Sequence, residues 1–426
     1  MLMKSAASGQ PSEGASLILC DNVKDGRRFA NALRYVKNES YYANRRKGKF
    51  MRRNGFLLGI ALGFTVLFGI DVLYADEQCK EEKIQTVLAS DAYKTRMASI
   101  ETLKKIEPFK SDYNVYEMDI KYDYNSDNII GNFTDTESFV KAVAAEALPG
   151  IPFDLKLPNY GCTAFVMRDK NGEVFTGRNY DFKLDTSALL VRCQPKNGYK
   201  SMGFAALNNV GADNADSSIM TKLACLFGPY ICNDGVNEKG VSIAVLTLDS
   251  EPTNQNNGKK KIATSLAIRL VLDNADSTQK AVDILREYDM VAANGRDYHF
   301  FIADSTGDSR VVEWDCMSPT RELVETKINA ITNFYAKYIG QVKSYQRNGI
   351  YGHGRERYDK VITVLENNKD NLTKEVAWEA LKSASSAPNP ESVTSNTQWS
   401  VIFSNTNLTA DMVQRRLWDT HYNFGL

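Results

Sequence analysis

The sequence predicts an α+β protein: antiparallel sheets with helices packed on their outer sides. Three observations carry this. Apolar runs at 163–167 and 173–176 flank Asp169-Lys170-Asn171-Gly172, and Asn-Gly between such runs is the strongest two-residue hairpin signal. Runs at 299–304 and 310–314 repeat the pattern across a polar connection at 305–308. Helical patterns at 262–273, 278–287 and 374–384 do not alternate regularly with strands, which argues against a Rossmann arrangement.

Taken in order, residues 1–50 are a polar extension that leads into a basic run, Arg45, Arg46, Lys47, Lys49, Arg52 and Arg53. Gly55 to Ile70 then runs sixteen residues without a charge, short for a membrane span and slightly long for a signal core. Read from Met51, residues 51–75 form a secretory signal with Ala75 at a cleavable position, or else an anchor through 55–70. In both readings the basic flank stays inside, and the remainder of the chain is exported: periplasmic, extracellular or anchored facing outward. Residues 76–161 are charged, carry one helical stretch at 137–148 stopped by Pro149-Gly150, and look too poor in apolar clusters to build a core. They read as a pro-segment or docking arm ahead of a catalytic domain at 162–426. In that domain, further strands are expected at 241–248, 329–332 and 399–403, and Thr278 as a helix N-cap.

Basic and acidic residues balance at 52 each, so no global field favours nucleic acid. The seven cysteines form no C-x-x-C pair and there are three histidines, His299, His353 and His421, so neither a metal nor a cofactor is expected.

Chemistry concentrates on the first hairpin. With Asn171 and Gly172 as the two turn residues, partners sum to 343 and Cys162 lies opposite Asp181, with Cβ atoms roughly 5 Å apart. A carboxylate there suits a free amine, and an α-amine with pKa near ~8 is a workable base beside its own thiol. Arg178 would favour the thiolate. Yet Arg178 and Asp181 differ by an odd number, so strict alternation sends them to opposite faces unless Gly177 bulges. A buried cysteine acting as a small hydrophobe remains the alternative.

Gly161-Cys162-Thr163-Ala164-Phe165 followed by Gly177-Arg178-Asn179-Tyr180-Asp181-Phe182 resembles the mature start of the choloylglycine hydrolase and penicillin V acylase family. Asn233-Asp234-Gly235-Val236-Asn237-Glu238-Lys239-Gly240, Ile331-Thr332-Asn333, Arg355-Glu356-Arg357-Tyr358 and Thr397-Gln398-Trp399-Ser400-Val401 come after it in the family's order. The resemblance implies a four-layer αββα N-terminal-nucleophile (Ntn) hydrolase, a cut at Gly161–Cys162, and a homotetramer. It implies Cys162 as nucleophile, Arg178 and Asp181 positioning and activating it, Asn333 donating to the oxyanion, and Arg357, rather than Arg355, as the late arginine. Thr247 departs from the Asn or Tyr of many members, which points to a backbone N–H as second oxyanion donor. Asp234-Gly235 and Glu238-Lys239-Gly240 read as turn residues, and His299 as structural. The implied activity is hydrolysis of a linear amide through a thioester: a conjugated bile salt, a penicillin V-like amide or an N-acyl amide. The alternatives are an N-acyltransferase on the same scaffold and an inactive, anchored binding protein.

Overall fold

The structure, a computed structural model, describes residues 82–106, 113–153, 161–292, 295–347, 349–389, 391–392 and 395–426. The polar extension, the signal or anchor expected at 51–75 and the connection 154–160 lie outside these residues. Among the described residues no helix is long and apolar enough to cross a membrane.

In chain order the strands are β1 (Lys104–Lys105), β2 (Val115–Asp119), β3 (Gly161–Arg168), β4 (Val174–Asp181), β5 (Ala188–Cys193), β6 (Ser201–Ala206), β7 (Cys232–Asn237) and β8 (Ser242–Leu248). They continue with β9 (Lys261–Ala263), β10 (Asp289–Val291), β11 (Asp297–Ala303), β12 (Ser309–Trp314), β13 (Leu323–Thr326), β14 (Ala330–Ile331), β15 (Thr397–Ser404), β16 (Thr409–Gln414) and β17 (Tyr422–Gly425). The helices that shape the fold around the site are α1 (Asp91–Ile100), α2 (Thr136–Ala147), α3 (Thr264–Asn274), α4 (Thr278–Arg286), α5 (Arg355–Asn367) and α6 (Lys374–Ala384).

Of the two large sheets, one has the order β1-β2-β5-β6-β7-β8-β11-β12-β13 and the other β14-β3-β4-β15-β16-β17, while β9 and β10 form a small parallel pair apart from them. Both are antiparallel except where β2 runs parallel to β5. The sheets face each other: β3 lies against β8 and β11. The Tyr180 and Trp399 rings stack at 4.1 Å on one sheet, and Phe204 of the other packs 6.2 Å from Trp399. α3 and α4 cover the outer side of the large sheet. α5 and α6 cover the smaller one through Val361, Ala377, Ala380 and Leu381 against Phe165, Phe175 and Ile402. The order is therefore helix, sheet, sheet, helix, the expected αββα architecture.

The local expectations hold with corrections. The α4 cap is Ser277, whose side chain accepts from the Lys280 N–H, one residue ahead of the expected Thr278. Asn233-Asp234-Gly235 lies inside β7, while the turn falls at Glu238-Lys239-Gly240, where Gly240 has φ +75°. α5 was not foreseen.

The stretch before Cys162 differs most. Residues 113–153 bury Val115, Tyr116, Met118, Ile120, Tyr122, Tyr124, Phe139 and Val143, and β2 is an inner strand of the nine. From Leu88 onward the chain is one unit. These residues fill a core shared with 162–426 rather than one of their own, as a docking arm would.

Candidate active site

The hairpin β3–β4 builds the site, and its register corrects the sequence reading by one. Cys162 pairs with Tyr180 and Gly161 with Asp181. The loop has three residues, not two: the Gly172 N–H donates to the Asp169 carbonyl at 3.0 Å and Gly172 takes φ +88°. This is a type I turn closed by a left-handed residue, a common three-residue hairpin.

Strict alternation then settles the arginine and the aspartate. There is no bulge at Gly177: pairing runs unbroken through Thr176, Gly177 and Arg178. Gly177 instead makes room for Phe165, whose ring would lie 2.4 Å from an added Cβ. Even-numbered side chains of the hairpin face the other sheet, as the Thr176 hydroxyl shows by bonding Ser242 at 2.8 Å. Odd-numbered ones face α5 and α6, as Phe165 and Phe175 show. Cys162 and Arg178 thus share the inter-sheet side, and Asp181 works from the helix side.

On the inter-sheet side Arg178 is fully buried. Its Nε donates to Asp234 Oδ2 at 3.3 Å and its Nη1 to the Asn179 carbonyl at 2.8 Å, while Nη2 has no hydrogen-bond partner. Trp399 Nε1 also donates to Asp234 Oδ2, at 3.3 Å. Burial pushes the Asp234 carboxyl up to about 6, against the pull of Arg178. Burial likewise pushes the Cys162 thiol up to about 11, with Arg178 lowering it and Asp181 raising it. Arg178 therefore acts in the expected direction but does not win. With Gly161 attached, the thiol is protonated at neutral pH.

On the helix side Arg357 is the hub. Its Nη1 donates to the Cys162 carbonyl at 2.9 Å, Thr163 Oγ1 at 3.1 Å and Asp181 Oδ2 at 3.2 Å, and its Nη2 to Asn333 Oδ1 at 2.6 Å. Gly354 has φ +84°, and a Cβ there would meet Arg357 Nη2 at 2.5 Å. Arg355 points elsewhere, to Asp359 and the Ile339 carbonyl. Asp181 Oδ1 accepts from the Thr397 hydroxyl at 2.6 Å. Burial raises its carboxyl, against Arg357 and Thr397.

Asn333 joins the two sheets. Its Oδ1 accepts from the Cys162 backbone N–H at 3.1 Å, and its Nδ2 donates to the Thr247 carbonyl at 2.8 Å. Asn333 therefore grips the nitrogen of Cys162, a role the sequence reading missed. Thr247 is tied to the site by its backbone. All six expected residues, Cys162, Arg178, Asp181, Thr247, Asn333 and Arg357, converge. Asp234 and Thr397 are additions. The three histidines are engaged elsewhere: His299 with the Thr332 carbonyl at 3.0 Å, His353 with Asp249 at 2.5 Å and His421 with Asp411 at 2.9 Å.

A thiol, a backbone nitrogen held by an amide oxygen, and two buried arginines are thus gathered around Cys162. Residues 162–347 match the model of the linear amide C–N hydrolases, choloylglycine hydrolase family, and the match begins at Cys162. This part of the chain is therefore similar to the choloylglycine hydrolases. Similar solved structures include two variants of the conjugated bile acid hydrolase from Clostridium perfringens. They are 17% and 16% identical, with TM-scores of 0.47 and 0.46, each covering 62% of this chain and 92% of theirs. Penicillin V acylase from Agrobacterium tumefaciens is 17% identical, with a TM-score of 0.46, covering 62% of this chain and 86% of that one. No curated protein matches the chain.

Proposed function

We propose that this protein is an exported linear amide C–N hydrolase, a cysteine N-terminal-nucleophile amidase whose base is the α-amine of Cys162, set free by a cut after Gly161. One observation carries this reading: Asn333 Oδ1 holds the backbone nitrogen of Cys162 at 3.1 Å in a site that all three histidines leave to other partners. A peptide N–H cannot take up a proton; a free amine can.

In the cut, Sγ attacks the Gly161 carbonyl carbon, the C–N bond breaks, and the thiol proton goes to the departing nitrogen. Water then hydrolyses the thioester, leaving a Gly161 carboxylate and a Cys162 with free thiol and amine. In turnover the amine takes the thiol proton as sulfur attacks the substrate amide, and hands it to the leaving nitrogen. Water resolves the acyl thioester. Asn333 Nδ2 carries two hydrogens and gives one to Thr247, so the other is free in valence to meet the oxyanion, a contact typically contributing about 3 kcal/mol. Export is supported by the basic run at 45–53 followed by the charge-free stretch from Gly55 to Ile70. The acyl donors consistent with the family are conjugated bile salts, penicillin V-like amides and N-acyl amides.

The test is an activity panel over these three classes, with intact-mass detection of an acyl adduct. Wild type should turn over at least one class and show the adduct on Cys162. Cys162→Ala should do neither, and retained turnover in that variant would end the proposal.

A further inference from the structure

We infer that Arg416, in the turn that follows β16, reads a carboxylate on the amine half of the substrate, so that the preferred amides are N-acyl amino acids. This rests on the proposed amidase reading of Cys162.

The first observation is a backbone that local chemistry does not favour. The Leu417 N–H donates to the Gln414 carbonyl at 2.9 Å, which closes a turn with Arg415 and Arg416 as its central residues. Both are left-handed, with φ of +48° and +62°. Such turns ordinarily carry Asn-Gly, because most side chains are strained in that conformation. Here two arginines accept the strain, and strain of this kind gathers at ligand sites.

The second is the donors these side chains leave unused. Arg415 Nη2 pairs with Asp185 Oδ2 at 2.9 Å. Its Nη1 is buried without a hydrogen-bond partner, and so is Arg416 Nε. Among the described residues no carboxylate pairs with Arg416, so the turn presents one guanidinium that is not neutralised. A buried N–H without an acceptor costs free energy until a ligand supplies one.

The third is place. The Arg415 N–H donates to the Gln398 carbonyl at 2.8 Å, and the adjoining residue of β15, Thr397, is the one whose hydroxyl holds Asp181. Asp181 in turn pairs across the hairpin with Gly161. Arg416 is near enough to act on the Asp181 carboxyl, which burial raises and which Arg357, and more weakly Arg416, pulls down. The proposed chemistry says which half of the substrate comes here. The Cys162 amine hands its proton to the leaving nitrogen, so the amine half lies beside that amine, in the room Gly161 vacates opposite Asp181. A carboxylate on that half is directed toward the arginine turn, and a guanidinium fork matches a carboxylate better than any other side chain does.

The experiment compares two substrates with one acyl chain, an N-acylglycine and the N-acylethanolamine that lacks its charge. Wild type should favour the glycine conjugate in kcat/KM, and Arg416→Gln should lower that preference about tenfold or more, mainly through KM. Arg416→Lys should restore part of the preference, and added salt should shrink it. Arg416→Gly relieves the left-handed strain, so it should unfold at no lower a temperature than wild type and still lose the preference. A turn that is merely structural would leave the preference where it was. Trapping of Cys162 by iodoacetate against iodoacetamide supplies a readout without turnover, and Arg416→Gln should lower the relative rate of the anionic reagent. Turnover with a preference that Arg416→Gln does not move would overturn the subsite. Absence of turnover on every amide would instead overturn the amidase reading. The trapping ratio then decides the subsite alone, and no anionic preference there would overturn it.

Discussion

Two buried arginines flank Cys162 from opposite faces of one hairpin, and they are coordinated very differently. Arg357, on the helix side, gives one nitrogen to three acceptors and the other to Asn333, so its fork is fully occupied in fixing the Cys162 carbonyl, Asp181 and Asn333. Arg178, on the inter-sheet side, has one carboxylate partner at 3.3 Å, one backbone carbonyl and an Nη2 without a partner. The difference assigns the work. In the proposed mechanism Arg357 positions the backbone of Cys162, and Arg178 supplies charge to its sulfur. One face sets geometry and the other sets thiol chemistry.

The largest effect should come from Arg357→Lys. A single ammonium cannot reproduce a fork that spans Asn333 and Asp181 together. Misplacement of the reacting nitrogen should lower kcat on the order of 100-fold, measured by steady-state kinetics with the fold checked by circular dichroism. Arg355→Lys, whose side chain lies outside the site, is the control and should leave kcat within about twofold.

Next is Asp234→Ala, which leaves Arg178 buried without its carboxylate. Breaking a fully buried pair from one side typically costs about 3–5 kcal/mol, so thermal unfolding should drop on the order of 10 °C. The double change Arg178→Met with Asp234→Leu should regain much of that stability while remaining inactive. If Asp234→Ala is thermally silent, the pair does not hold the inter-sheet face together.

Smaller is Arg178→Gln. Removing the charge that lowers the Cys162 thiol should raise the pH at which an alkylating reagent traps it by about one unit. An unchanged trapping profile would break the contrast between the two arginines. Smallest is a pH signature of Asp234. Its folded pKa of about 6 lies above the ~3.9 of an unfolded aspartate, so the stability it contributes is full below ~4 and lost as pH rises through about 6. Asp234→Asn lacks that loss, so its unfolding temperature minus that of wild type should increase across this window.

How much the sequence made legible depends on how local each signal is. The hairpin, the outer helices and the convergence of Cys162, Arg178 and Asp181 depend on short-range patterns and on a resemblance of blocks in order. The register was off by one because Asn-Gly alone does not tell a two-residue loop from a three-residue loop with glycine in the left-handed position. Asp234 was read as a turn residue because Asp-Gly usually is one. Here Gly235 serves close approach of strands, since an added Cβ would sit 2.6 Å from the Met202 carbonyl oxygen. The role of Asn333 toward the Cys162 nitrogen depends on a contact between residues 171 positions apart, which no local pattern encodes. The core contribution of residues 113–153 is illegible for the same reason: their apolar side chains pack against residues distant in sequence, β5 among them.

N-terminal sequencing of the active wild type decides whether Cys162 carries a free amine. Cys162 should be one N-terminus of the wild type, and Cys162→Ala should stay uncut at Gly161. Full activity with Gly161 still attached would leave no base at the sulfur and would contradict it.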